Sequence, residues 1–168
     1  MSEGCIRVFL VDDHEVARRG LRDLFDAEPD MVVVGEAGTA AEAIAGIVDT
    51  APDVAVLDVR LPDGDGVRVC REVRSRRPTL QCLMLTAFAD DDALFASILA
   101  GAAGYLLKQV HGQDLVAGVR RVAGGESLLD PPIIGRVLDH LRQGPTGEAD
   151  GLSTQEARVL EYVGEGLT

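Results

Sequence analysis

Residues 6–13 read Ile6-Arg7-Val8-Phe9-Leu10-Val11-Asp12-Asp13. The β-branched, apolar content of Ile6 to Val11 marks a buried strand, and two carboxylates end it abruptly. Past them, Val16, Leu21, Leu24 and Phe25 are spaced to line one helical face. The alternation then repeats. Met31 to Gly35 reads as a second strand, and Thr39 is placed to N-cap an alanine-rich helix over Ala40 to Val48. Val54 to Leu57 is a third strand, followed by a helix over Val67 to Val73 that ends before Pro78. Leu80 to Leu85 is a fourth, with a helix from about Asp91 to Leu99. Ala103 to Leu107 is a fifth, and Leu115 to Val122 lies in a helix closed by Gly124-Gly125. Five strand–helix units in series imply an α/β fold, with a doubly wound parallel sheet and helices on both faces. Such sheets bind ligands at the carboxyl ends of their strands.

Those ends carry the chemistry. Asp12 and Asp13 end the first run, Asp58 another, and Thr86 a fourth. Lys108 follows Gly104-Tyr105-Leu106-Leu107 and is the only lysine among 16 basic residues. Lysine offers a compact point charge where arginine offers a planar fork, and phosphate is a common partner for it. Three converging carboxylates repel one another. A divalent cation relieves that repulsion, and an all-oxygen site with an open face suits Mg²⁺. Asp58 can then act as a nucleophile toward a phosphoryl group, with Lys108 neutralising the equatorial oxygens and Thr86 donating its hydroxyl. Tyr105 is placed to swing between inside and outside as the threonine moves.

Each residue also has a plainer reading. Asp12-Asp13 fits a helix cap pair, Thr86 another cap, and Asp58 the turn chemistry of Leu61-Pro62-Asp63-Gly64. His14 fits a helix-start residue beside the pocket rather than a metal ligand. Asp63-Gly64-Asp65-Gly66 lacks the glutamate that closes an EF-hand loop, so it reads as a turn. The shared placement at strand ends favours the functional reading.

The bulk composition agrees. A formal charge of −12 over 168 residues argues against nucleic-acid binding by this stretch, and the acidic excess holds on both sides of Gly125. Cys5, Cys70 and Cys82 have no CxxC spacing and read as reduced core or strand residues of a cytoplasmic protein. No secretory signal pattern opens the chain. The uncharged run Ala93 to Leu107 falls short of the ~20 residues that span a bilayer, so no membrane role is expected.

Beyond Gly125 the pattern changes. Residues 126–150 read as a linker whose helix, about 131–142, opens at Asp130-Pro131-Pro132. Its stripe of Ile133, Ile134, Val137, Leu138 and Leu141 is a candidate dimer or interdomain contact. Residues 143–151 have a flexible composition. Ser153 and Glu156 then form a capping box ahead of Val159, Leu160 and Val163, so 151–168 reads as the start of a small all-α domain.

The strand-end motifs resemble those of bacterial two-component response regulators: Val11-Asp12-Asp13, Val56-Leu57-Asp58, Leu61-Pro62-Asp63-Gly64, Leu85-Thr86-Ala87 and Gly104 to Lys108. The resemblance implies a flavodoxin-like (βα)5 receiver over residues 1–125. It implies phosphorylation of Asp58 by a sensor histidine kinase, and Mg²⁺ held by Asp13, Asp58 and the Arg60 carbonyl, with Asp12 acting through water. Thr86, Ala87 and Lys108 would contact the phosphoryl group, and Thr86 and Tyr105 would form the switch. Asp12-Asp13-His14-Glu15 with Arg19-Gly20-Leu21 is similar to the NarL/FixJ subgroup. Leu152-Ser153, Glu156, Val159-Leu160, Gly166 and Thr168 resemble the opening of its LuxR-type helix-turn-helix. Leu57 to Gly64 and Ser127-Leu128-Leu129-Asp130 are most similar to actinobacterial dormancy or hypoxia regulators of the DevR/DosR type. The function implied is phosphorylation-dependent transcription regulation by a homodimer, not an enzyme activity, with DNA contacted only through residues beyond 168. Many receivers place proline after the lysine, with a cis bond; Gln109 stands here, and its bond isomer is open.

Two alternatives compete. A stand-alone receiver would act through protein contacts alone. A haloacid-dehalogenase-type phosphatase also pairs a nucleophilic aspartate with lysine and Mg²⁺, but its signature is Asp-x-Asp after the first strand, where this chain has Asp12-Asp13-His14.

Overall fold

The computed structural model describes residues 5–87, 91–108 and 112–129, with the single positions 135 and 139. The strands β1 (Ile6–Val11), β2 (Met31–Ala37), β3 (Val54–Asp58), β6 (Gln81–Thr86) and β7 (Gly104–Leu107) form one parallel sheet in the order β2-β1-β3-β6-β7. The helices α1 (Glu15–Asp26), α2 (Ala40–Thr50), α3 (Gly66–Arg76), α4 (Asp91–Leu99) and α5 (Gly112–Ala123) connect or follow them. Two short segments, β4 (Arg60–Leu61) and β5 (Gly64–Asp65), pair antiparallel just after β3. The doubly wound sheet expected from the sequence is therefore present. No helix among the described residues is long and apolar enough to cross a membrane.

The central strands are buried on both faces, and their side chains alternate between two cores. Phe9, Val11, Ala55, Leu57, Cys82 and Met84 face α2 and α3, where Ala43, Ile47, Val69 and Val73 meet them. Val8, Leu10, Val54, Val56, Leu83 and Leu85 face α1 and α5, against Phe25, Val116 and Val119. A smaller patch of Leu94 and Phe95 on α4 packs with Ile98 and Tyr105. Thr39 caps α2 as expected, its hydroxyl accepting from the Glu42 amide at 3.1 Å.

Two expectations need correction. Val16 does not join the buried face of α1; it is 83% exposed. At 100° per residue it lies roughly 130° around the helix from the centre of Leu21, Leu24 and Phe25. Cys5 is also exposed, because it precedes β1, while Cys70 and Cys82 are buried as expected.

After α5 the chain stays against the sheet as far as Leu128. Its amide donates to the Ala103 carbonyl at 2.8 Å, and its side chain sits where a Cβ on Gly104 would lie 3.0 Å away. The expected stripe of Ile133, Ile134, Val137, Leu138 and Leu141, the 151–168 segment and the Lys108–Gln109 bond lie outside the described residues.

Candidate functional site

The chain runs from β1 out to β2, returns to β3, and continues on the other side of β1. The switch point between β1 and β3 therefore opens at the carboxyl end of the sheet. Asp12 follows β1, Asp58 is the last residue of β3, Thr86 the last of β6, and Lys108 follows β7. The Lys108 amide continues the ladder to the Thr86 carbonyl at 2.7 Å. Four residues spread over 96 positions thus reach one place by ending neighbouring strands.

Lys108 bridges the two buried carboxylates. Its Nζ lies 2.8 Å from Asp12 Oδ2 and 3.1 Å from Asp58 Oδ2. Asp12 is 1% and Asp58 6% exposed, so both charges are largely withdrawn from water. Burial, with the Asp12 charge adding to it, pushes the Asp58 carboxyl above its ordinary value despite hydrogen bonds from Lys108 and the Arg60 amide. Burial also works against the charged lysine, but its hydrogen bonds to Asp12 and Asp58 outweigh that and raise its pKa. One ammonium among these carboxylates leaves the site short of positive charge.

Asp13 stands exposed at the rim. Donor atoms of Asp12, Asp13, His14 and Asp58 all lie within 4.8 Å of one another, a spacing a single cation can bridge. This crowding of carboxylate oxygens fits a hard divalent ion such as Mg²⁺. His14 is the N-cap of α1, as expected of a helix-start residue, and its amide donates to Asp12 Oδ1 at 2.8 Å. Its ring also faces the acidic pair, with Nδ1 3.1 Å from Asp13 Oδ1.

A cavity of about 220 Å³ opens above these groups, and Asp13, Asp58, Arg60, Thr86, Ala87 and Lys108 all line it. It has room for a phosphoryl group and water. Thr86 is buried, and Tyr105 is half-buried between the α2–α3 core and the α4 patch.

One contributor escaped the sequence reading. Asp63 reaches across to α2, where its carboxylate accepts from the Ala40 amide at 2.6 Å and the Ala41 amide at 3.1 Å. Its Asp-Gly setting announced a turn; nothing local announced a partner 23 residues away.

Comparison with known proteins identifies the family. Residues 8–120 match the response regulator receiver domain family. The chain is 50% identical over 166 residues to the DNA-binding transcriptional activator DevR/DosR of Mycobacterium tuberculosis, covering 97% of this chain and 76% of that one. It is 34% identical over 167 residues to the transcriptional regulatory protein LiaR of Bacillus subtilis, covering 97% and 78%. A LuxR-family two-component response regulator from Aurantimonas superposes with a TM-score of 0.72 at 30% identity, over 81% of this chain and 97% of that one. The signal receiver domain of NarL from Mycobacterium tuberculosis gives 0.70 at 34% identity, over 73% and 98%. These relatives are named as regulators rather than enzymes. The matched receiver family, the sequence identity to transcriptional regulators and the shared five-stranded frame place this chain in one family: it is a two-component response regulator with a receiver domain.

Proposed function

We propose that Asp58 accepts a phosphoryl group from a phosphohistidine on a sensor histidine kinase, and that this controls transcription through a homodimer. The observation that carries the reading is the single lysine shared between two buried carboxylates under a small open cavity. An Asp58 carboxylate oxygen forms a bond to phosphorus. The phosphorus–nitrogen bond breaks, and the imidazole leaves with the electron pair. Lys108, on its flexible stem, shifts from the carboxylates to a phosphoryl oxygen. Thr86 donates its hydroxyl to another, and Ala87 lines the same wall. Asp13, Asp58 and the Arg60 carbonyl would hold Mg²⁺, with Asp12 acting through water. When bound, Mg²⁺ supplies neutralising charge for the phosphoryl oxygens.

Transfer of Thr86 toward the phosphoryl group would empty space beside β7 and draw Tyr105 inward. The α4 patch that Tyr105 contacts is then the two-state element biased by one added charge. Residues 1–125 are the receiver in this reading, 126–150 the linker and 151–168 the opening of the DNA-binding module. DNA is contacted through residues beyond 168, the linker stripe is the dimer or interdomain contact, and the cytoplasm is the place of action.

Incubation with acetyl phosphate and Mg²⁺, followed by intact mass, tests the central step. One phosphoryl adduct is expected on the wild type and none on Asp58→Asn, which keeps the shape and removes the nucleophile. An equal adduct on both would assign the acceptor elsewhere, and continuous turnover of a phosphomonoester would favour a phosphatase.

A further inference from the structure

The segment after Asp58 is fastened at its base in several ways. The Gly66 amide donates to the Val59 carbonyl at 2.7 Å, and Leu61 is buried in the α2–α3 core. Asp65 caps α3, accepting from the Arg68 amide at 2.8 Å. Gly66 is required here, since a Cβ would fall 2.1 Å from the Asp58 carbonyl oxygen. The β4–β5 pairing closes the hairpin on itself, with Arg60 opposite Asp65 and Leu61 opposite Gly64, but none of these contacts ties its tip, where Pro62 and Asp63 are exposed, to the rest of the fold.

Asp63 holds it. Its two oxygens take the amides of Ala40 and Ala41, which the start of α2 would otherwise leave to water. The helix already has a cap in Thr39, which takes the Glu42 amide. One helix N-terminus therefore carries two caps, a local one and one delivered from the segment beside the phosphoacceptor. These amides hold the Asp63 carboxyl below the usual carboxylate range, so it stays ionised and its hydrogen bonds are charge-assisted. An exposed side chain that takes two distant amides orders the loop that carries it more than it adds to any core.

We infer that Asp63 is a positioning residue of the phosphoacceptor site: by tying the hairpin tip to α2, it fixes Arg60 in the cavity wall and so sets the affinity for Mg²⁺. The inference rests on the proposed function. Its physical basis is that Mg²⁺ demands near-ideal octahedral geometry, so a loosely held carbonyl ligand weakens binding.

The double cap supplies its own control. Asp63→Ala and Thr39→Ala each remove one cap from the same helix, and both should lower the melting temperature. Mg²⁺ titration by calorimetry and metal-free hydrogen exchange over residues 59–66 separate them. Asp63→Ala is expected to weaken Mg²⁺ about tenfold, the size of effect seen for partners that orient metal ligands, and to speed exchange across the hairpin. Asp63→Asn, which keeps one acceptor, should recover part of both. Thr39→Ala should leave both at wild-type values. Wild-type affinity in Asp63→Ala, or an equal loss in Thr39→Ala, would overturn the inference and leave the proposed function standing. A wild type that binds no Mg²⁺ would overturn both.

Discussion

Two charge clusters beside β1 are mirror images. At the carboxyl end of the sheet one cation, Lys108, is shared by two carboxylates, Asp12 and Asp58. On the flank one carboxylate, Glu36 of β2, takes two cations of α1: Arg18, whose Nε lies 3.0 Å away, and Arg22, which also pairs with the more exposed Asp26 at 3.6 Å. Their protonation follows the cations each central carboxylate receives. Burial pushes the Asp58 carboxyl up. Burial would also raise Glu36, but hydrogen bonds from Arg18 and Arg22 overcome it and hold that carboxyl below its usual range. Arg18 links the two, since its Nη1 donates to the Asp12 carbonyl at 2.6 Å. The over-supplied cluster anchors α1 to β2 and pins the Asp12 backbone. The under-supplied cluster can then keep uncompensated negative charge where, in the proposed function, a metal and a phosphoryl group would bind. Charge balance here separates a fastening from a site.

The largest expected effect comes from changing the one cation of the under-supplied cluster. Lys108→Arg keeps the charge but replaces a mobile point with a planar fork. Acceptance of phosphate from acetyl phosphate should continue, while the phosphorylation-dependent gain in operator affinity should fall by about tenfold in the protein carrying its DNA-binding module, a typical coupling between two sites. Intact mass and gel-shift titrations at matched salt check it. An unchanged gain would mean that Lys108 does not transmit the added charge.

Mg²⁺ should affect the two clusters differently. At about 100 times its Kd, a ligand that binds only the folded state adds about 2.7 kcal/mol of stability. Urea unfolding with and without Mg²⁺ should show that gain in the wild type and in Glu36→Gln, and most of it should vanish in Asp13→Asn. Added NaCl in place of Mg²⁺ should not reproduce it, since salt screens partly exposed pairs such as Arg22–Glu36 instead. Equal gains in Asp13→Asn would take that residue out of the metal site.

The under-supplied cluster was legible in the sequence and the over-supplied one was not. Asp12, Asp58, Thr86 and Lys108 each end an apolar run, and a parallel sheet brings the ends of its strands together whatever the loops do. Arg18 and Glu36 sit inside a helix and a strand, and their meeting depends on β2 lying beside β1 with α1 packed across both. Asp63 was readable as a turn residue, but its hold on α2 depends on how the hairpin leans. Val16 shows the limit of periodicity at a helix start: its spacing suited a buried face, yet the face was set by Leu21, Leu24 and Phe25 further along.

The smallest effect is also the one that tests the mirror relation directly, through its sign with pH. Glu36 has a folded pKa below its ordinary 4.5, so its stabilisation is present above that value and is lost as pH falls through the folded pKa. Asp58 has a folded pKa above its ordinary 3.8, so its contribution is present below 3.8 and is lost as pH rises through the folded pKa. Glu36→Gln should therefore cost about 1 kcal/mol at neutral pH, a charged hydrogen-bond contribution reduced by partial exposure, and cost progressively less in acid. Asp58→Asn should do the reverse. It should unfold at higher urea than the wild type at neutral pH, and that advantage should shrink as acid protonates the native carboxyl. Urea titrations of the three proteins, without Mg²⁺ and from pH 7 down to the edge of the acid transition, measure both slopes. Slopes of the same sign would mean that Lys108 fully satisfies its two carboxylates, and that the site holds no excess negative charge for a cation to relieve.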